Sequence, residues 1–352
     1  MVLFLSNEDV ERALSWSDVV RVCEDLLLER ARGTAWFSPR QRYVLPTDSR
    51  MMILPGGLEG KSVMGTRIYS MHSRTSPDSK KFLAEDVLDA YALNVVYEMQ
   101  SAEMLTITAG ERINTLRVAG ELAVGAKYLA NGDSKTLGMF GSGRLALGSL
   151  MALKETHAIE SAKVFSRNPE RRKRFCTQMS EMAGFPVWPV DSPEQALREV
   201  DIVVAATSSL EPAFDGRFLE LGTHVCTVGG EILAGGWELD EHAMERMSVL
   251  AVLNKEHTME GGLGEDPPNR TFTRAVEKSV ITWDDVVELS DIMAERARGR
   301  RSRQDITLFD NRAMGTSDVA LAYRAYQVAK EKGIGTDLEW GRGLEPEWRL
   351  PT

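Results

Sequence analysis

From residue 113 onward the chain alternates between helical and strand-like patterns, and this constrains its fold more than any other feature. "INTLRVAGELAVGAKYLA" (113–130) reads as an amphipathic helix, "TLGMFG" (136–141) as a short apolar strand and "RLALGSLMALKETH" (144–157) as a helix. Then come strand "SAKVFSR" (161–167), helix "NPERRKRFCTQMSEMAG" (168–184), strand "PVWPV" (186–190) and helix "SPEQALREV" (192–200). "DIVVAAT" (201–207) and "THVCTVG" (223–229) are further strands. The apolar run "VLAVLN", the loop "GGLGEDPPN" (261–269), a helix near 284–297, the strand "ITLFDN" and a last helix at 317–332 follow. Strands separated by helices pair in parallel through right-handed crossovers. The expectation is an α/β fold with a doubly wound parallel sheet.

The first hundred residues have a different texture. Residues 7–32 carry two helical patterns, with Asn7 and Ser17 where N-caps are expected. Short β-like runs split by Pro and Gly then predict an antiparallel sheet over roughly 40–108. At 352 residues the chain exceeds what one core usually needs, so two domains are expected.

Composition excludes several classes. The formal charge of -10 argues against a nucleic-acid binder. Cys23, Cys176 and Cys226 are scattered without metal-site spacing and read as buried free thiols in a reducing compartment. The N-terminus turns acidic within eight residues and lacks a basic start, unlike a signal peptide. No apolar run approaches the roughly 20 residues of a membrane helix. A soluble cytoplasmic protein is expected.

Gly141, Ser142, Gly143, Arg144, Leu145 and Ala146 link a strand to a helix. That setting makes the glycine pattern a candidate dinucleotide turn. Gly141 allows the tight turn, Gly143 lets backbone approach a pyrophosphate, and Ala146 lets helix and sheet pack closely. The helix N-terminus offers N–H groups and a positive dipole end. A capped helix entry with no ligand is the plainer alternative. The second strand ends in Ser166, Arg167 and Asn168, where NAD-specific sites carry an acid. Arginine there suits a 2′-phosphate, so NADP(H) is favoured and NAD(H) remains open. Thr207 and Val228, at the ends of the next two strands, complete the expected cofactor contacts.

These segments, in order, resemble the ornithine cyclodeaminase/mu-crystallin family. The arginine-bearing helix 113–130, "FGSGRLA", "VDIVVAATSSLEPAF", "GTHVCTVGG", "WELDEHAMERM" and "DITLFDNRAMGTSDVALAYRAYQVAKEKGIGTDLEW" carry the likeness, with "PRQRYVLP" and "GTRIYS" near the start. The resemblance implies a central Rossmann domain (116–311) and a second α+β domain (1–115 with 312–352). The latter binds substrate and dimerises, and the active site lies between the two. It also implies hydride transfer between the Cα of an amino or imino acid and a nicotinamide, in a homodimer.

On the same basis Arg42, Arg67 and Arg117 match basic substrate-side positions, suited to gripping a carboxylate. Arg112 is a weaker fourth candidate. Two departures stand out. Arg67 occupies a catalytic position where the family commonly has Lys, and arginine stays charged, so it acts as a clamp. Glu231 follows "VGG" where cyclodeaminases place an Asp, and its extra methylene moves the base.

The five histidines show no ligand spacing, and no metal is expected. His224 reads as structural. The run "ERARGRRSR" (295–303) could grip an anion but more simply ends a helix, and Asp318 matches a polar family position near the cofactor, although helix capping explains it equally well.

The leading reading is an NAD(P)-dependent oxidoreductase: a ketimine (cyclic imino carboxylate) reductase or amino-acid dehydrogenase, with Glu231 handling the nitrogen proton. Joining or splitting two amino-acid fragments through an imine is a related possibility. The alternatives are an ornithine cyclodeaminase holding NAD tightly, and a mu-crystallin-like NADPH-bound binding protein.

Overall fold

The computed structural model describes residues 1–45, 49–73, 87–209, 211–228, 237–264, 266–312 and 314–340. Two sheets dominate. The first is mostly antiparallel and runs 263–264, 41–44, 49–58, 63–73, 87–98, 104–109, 2–5, 336–338, with 35–37 on the side. The second is wholly parallel, in the order 187–189, 161–165, 136–140, 202–205, 224–227, 307–310, 249–252, 286–288. The chain winds outward from 136–140, returns to 202–205 on its other side and continues. Direction therefore reverses beside the glycine turn, where open α/β sheets bind ligands.

Helix Gly110–Leu129 joins the two layers. It packs on helices Trp16–Arg32, Arg144–Leu153 and Gly315–Lys332 and touches strands 224–227 and 307–310. Its sequence reads as amphipathic, but it is buried on nearly all faces, as a helix with neighbours all round must be. One core runs without a seam from Leu5 and Val10 through Leu122 and Ala126 to Leu137 and Phe309. A second core covers the opposite face of the parallel sheet, around Phe140, Phe214 and Phe272.

Local chemistry shifts several expected boundaries. The first two helices are capped by Ser6 and Ser15, not Asn7 and Ser17, because Asp9 and Asp18 close a capping box three residues on. The helix expected near 284–297 breaks into a single turn (283–285), strand Val286–Glu288 and short helix Leu289–Met293. Val286 and Val287 instead extend the sheet beside Leu250 and Ala251. Helices Lys255–Glu260 and Arg270–Glu277, capped by Asn254 and Asn269, flank the loop at 261–269. Leu263 and Gly264 in that loop pair with Gln41 and Arg42, so the parallel half of the molecule adds a strand to the antiparallel sheet.

The basic run at 295–303 has a structural role. Arg300 donates to the carbonyls of Leu129 (2.6 Å), Asp305 (2.6 Å) and Gly222 (3.1 Å). It thereby satisfies the carboxyl end of the central helix, where a cation also meets the negative dipole end. Arg296 reaches the Ala31 carbonyl. Replacing Arg300 with Ala removes the donor to the Asp305 carbonyl and leaves those of Leu129 and Gly222 to Thr307 and Asn131 alone. The expected loss is about 2–4 kcal/mol of unfolding free energy in urea titration; a loss below about 0.5 kcal/mol would make the arginine a mere surface charge.

Candidate active site

Gly141 ends strand Thr136–Phe140 with φ of +109°, a region that favours glycine. A Cβ there would collide with the Ala206 carbonyl oxygen on the neighbouring strand end. Its N–H donates to the Phe165 carbonyl at 2.9 Å, and Ser142 Oγ bonds Ser166 Oγ at 3.1 Å, so the turn is tied to the end of the second strand. Gly143 is the N-cap of helix Arg144–Leu153, and no side chain caps that helix. A Cβ on Gly143 would meet nothing within 4 Å. The turn therefore presents uncapped N–H groups to open space that one added carbon would begin to fill. A phosphate fits such a cradle. Ala146 is fully buried and Leu145 half-buried, so the helix packs back on the sheet as a dinucleotide turn requires.

The neighbouring strand ends divide their roles. Asn168 caps helix Pro169–Ala183 through the Arg171 N–H at 2.9 Å. Arg172 is occupied by the Ser166 carbonyl and Asp191, both at 2.8 Å. Arg167 is exposed. The N–H groups of Thr207 and Val228 donate to the two carboxylate oxygens of Glu238, at 3.2 and 3.1 Å. Buried Glu238 thus ties the ends of two parallel strands together, a function the sequence reading did not assign.

Two of the candidate substrate arginines, Arg42 and Arg67, lie on one face of the antiparallel sheet. Arg42 stands opposite Met52, Met52 opposite Tyr69, and Arg67 opposite Leu54. Side chains alternate along a strand, so all of these point the same way. Met52, Leu54 and Met71 form an apolar floor, and the Arg67 guanidinium lies 4.8 Å from the Tyr69 ring centroid. Arg50 shares this face. Burial and then the charge of Arg50 lower the pKa of Arg42, with Asp266 opposing them. Arg50 belongs to the basic group although its short sequence context gave no sign of it.

Arg117 projects from the central helix into the same region. Arg67 Nη1 lies 3.2 Å from Asp318 Oδ1, and Arg117 Nε lies 3.6 Å from Asp318 Oδ2. One buried carboxylate therefore holds both arginines. Met314 is the N-cap of helix Gly315–Lys332, so Asp318 has a different task from capping. Arg117 Nη1 also lies 3.6 Å from Glu121 Oε2, and Ser317 Oγ donates to Glu121 Oε1. Arg144, first residue of the helix after the glycine turn, donates to Thr115 Oγ1 at 2.7 Å, while part of its side chain reaches solvent. Partial burial and then the charges of Arg67 and Arg117 lower its pKa. The glycine turn and the arginine group are thus one electrostatic region, rich in positive charge.

Other candidates fall elsewhere. Arg112 faces outward onto Glu11 (2.8 Å) and the Trp16 ring, away from the arginine group. His224 is buried between Thr307 and Cys226, and burial drives its pKa well below the usual value. The cysteines are buried and free. Glu231 lies outside the described residues. Among those described, no group of His, Cys, Asp and Glu side chains is placed to hold a metal ion, and no helix is long and apolar enough to cross a membrane.

Comparison with known proteins identifies the family and the fold. The model of the ornithine cyclodeaminase/mu-crystallin family matches residues 2–333. The Δ1-pyrroline-2-carboxylate reductase of Bacillus cereus is 27% identical over 310 residues, covering 88% of each chain. The solved Δ1-pyrroline-2-carboxylate reductase of Thermococcus litoralis, in complex with NADH and L-proline, superposes with a TM-score of 0.83 at 27% identity, covering 96% of this chain and 100% of that one. An archaeal alanine dehydrogenase dimer with bound NAD gives 0.82 at 25% identity, covering 97% and 99%.

The two glycines of the turn make separable predictions. Gly141→Ala is strained and obstructed, and should cost about 2 kcal/mol or more of stability. Gly143→Val should leave the melting temperature of the ligand-free protein within about 2 °C yet weaken dinucleotide binding at least about tenfold by fluorescence titration. Undiminished affinity in Gly143→Val would remove the turn from the binding site.

Proposed function

The chain belongs to the ornithine cyclodeaminase/mu-crystallin family, and on that premise we propose that it is an NAD(P)H-dependent reductase of a small α-imino acid, running in reverse as an amino-acid dehydrogenase. The observation that carries this reading is the pair of buried arginines, Arg67 and Arg117, sharing Asp318 beside the open helix N-terminus at Gly143. Both guanidinium groups share Asp318, and Glu121, pushed up to about 7 by burial, offsets Arg117 only in part near neutrality, so positive charge is left for a second anion. An α-carboxylate supplies it, and bidentate pairing fixes the adjacent Cα in position. The relatives named for imino-acid reduction and alanine dehydrogenation share this substrate element.

Reducing C=N to CH–NH consumes one hydride and one proton. The nicotinamide supplies the hydride when it is bound. The residues at the glycine turn would hold its pyrophosphate on N–H groups of Gly143–Leu145. Arg67, Arg117 and Arg42 orient the substrate, and the floor of Met52, Leu54 and Met71 admits a small apolar ring or chain. Glu231 is the group the sequence offers for the nitrogen proton.

Arg167 supports a preference for NADPH. It is exposed at the strand end beside the ribose position, and the three residues there include no acid. The outer face of the antiparallel sheet supports a homodimer. Tyr43, Met51, Met64, Tyr91 and Leu93 are exposed there, with Tyr43 opposite Met51 and Leu93 opposite Ile68. An apolar patch of that kind marks a protein interface. Three buried free thiols fit a reducing compartment such as the cytoplasm.

With Δ1-pyrroline-2-carboxylate and NADPH the purified protein should consume the reduced nicotinamide, and Arg67→Met should lower kcat/KM at least about 100-fold without unfolding. Ammonia release from ornithine without net absorbance change would replace the reading with cyclodeamination; dinucleotide binding without turnover of any imino acid would replace it with a binding protein. Arg167→Asp should lower the NADPH-to-NADH ratio of kcat/KM at least about tenfold, and an unchanged ratio removes that residue from the choice. Tyr91→Glu with Leu93→Glu should convert a sedimenting dimer to monomer; an intact dimer would place the interface elsewhere.

A further inference from the structure

Glu121 is the one acidic residue in the apolar stretch 116–126 of the central helix, and it is fully buried. The groups facing it come from several elements. Arg117 lies one turn earlier on its own helix, with Nη1 at 3.6 Å from Oε2. Ser317 and Asp318 belong to helix Gly315–Lys332, and Ser317 Oγ donates to Oε1. Cys23 approaches from helix Trp16–Arg32 and Asn311 from the segment after strand Thr307–Asp310. Arg117 is the nearest cation, and its Nε and Nη1 make no hydrogen bond. Its contacts to Glu121 and Asp318 are both long, so neither locks the guanidinium.

We propose that Glu121 is a positioning residue that competes with the substrate's carboxylate for Arg117, so that binding an anionic substrate is coupled to protonation of Glu121. This rests on the reading of Arg117 as a substrate ligand. When Glu121 is ionised it draws on the charge of Arg117, and a second anion meets repulsion. When Glu121 is neutral, Arg117 is left to the incoming carboxylate, with Asp318 still at 3.6 Å. Burial, opposed by Arg117 and the Ser317 hydroxyl, pushes the Glu121 carboxyl up to about 7, so both states are populated near neutrality. The coupling lowers affinity above the transition and leaves the chemical step alone.

The test is KM for Δ1-pyrroline-2-carboxylate between pH 6.5 and 8.5 at saturating NADPH. Wild-type KM should rise at least about fivefold more than that of Glu121→Gln, with kcat following one profile in both. The imine's own titration is common to the two proteins and cancels in the ratio. Ser317→Ala keeps the carboxylate but removes a donor to its charged form, so the rise should move to higher pH. This variant also serves if Glu121→Gln does not fold. Parallel KM profiles in wild type and Glu121→Gln, or an unmoved profile in Ser317→Ala, overturn the coupling. The premise is checked separately. Arg117→Gln should raise KM at every pH; if it does not, Arg117 is no substrate ligand, whatever the Glu121 profiles show.

Discussion

The rest of the structure is arranged around the buried carboxylate of Asp318. It lies on the last long helix and holds Arg67 from the antiparallel sheet and Arg117 from the central helix. A single buried charge thereby joins three elements that are far apart in sequence. Removing one partner of such a cluster leaves an unpaired charge in a dry interior, which is costly. The arrangement tolerates its own burial because Arg67 and Arg117 face Asp318 and Glu121. Under the proposed function, stability and substrate binding use the same atoms.

The second constraint is the central helix Gly110–Leu129. It needs apolar or small residues on every face because helices and strands surround it. Charged residues on it are therefore exceptions with a purpose. Arg117 and Glu121 are one turn apart and oppose one another, and Lys127 lies at the more open carboxyl end, against Glu24. Arg300 closes that end on the Leu129 carbonyl. The amino end leads toward the glycine turn through Thr115, which receives Arg144. The helix thus sets the spacing between the glycine turn and the arginines.

Much of the parallel sheet was legible in sequence because its signals are local. Gly141 needs a positive φ, and the apolar run before it and the helix after it lie within twenty residues. The alternation of strands and helices likewise reflects nearest neighbours. Helix caps were legible only approximately, since Ser6 and Ser15 were chosen over Asn7 and Ser17 by acids three residues on. The arginine candidates and Asp318 were each singled out through resemblance, but their pairing was not, because more than two hundred residues separate Asp318 from Arg67 and Arg117. Arg300 was hidden for another reason: its partners are backbone carbonyls, which carry no sequence signature. Glu121 did leave a trace, as an acid in an apolar stretch of helix.

The central claim is that the arginine group holds an imino acid with its α carbon against the cofactor. Mass spectrometry of the product formed from Δ1-pyrroline-2-carboxylate and C4-deuterated NADPH tests it most directly. One stereoisomer of the labelled cofactor should deliver one deuterium to Cα, giving L-proline one mass unit heavier, while the other delivers hydrogen. Oxidised cofactor without deuterium at Cα from either isomer would contradict the account.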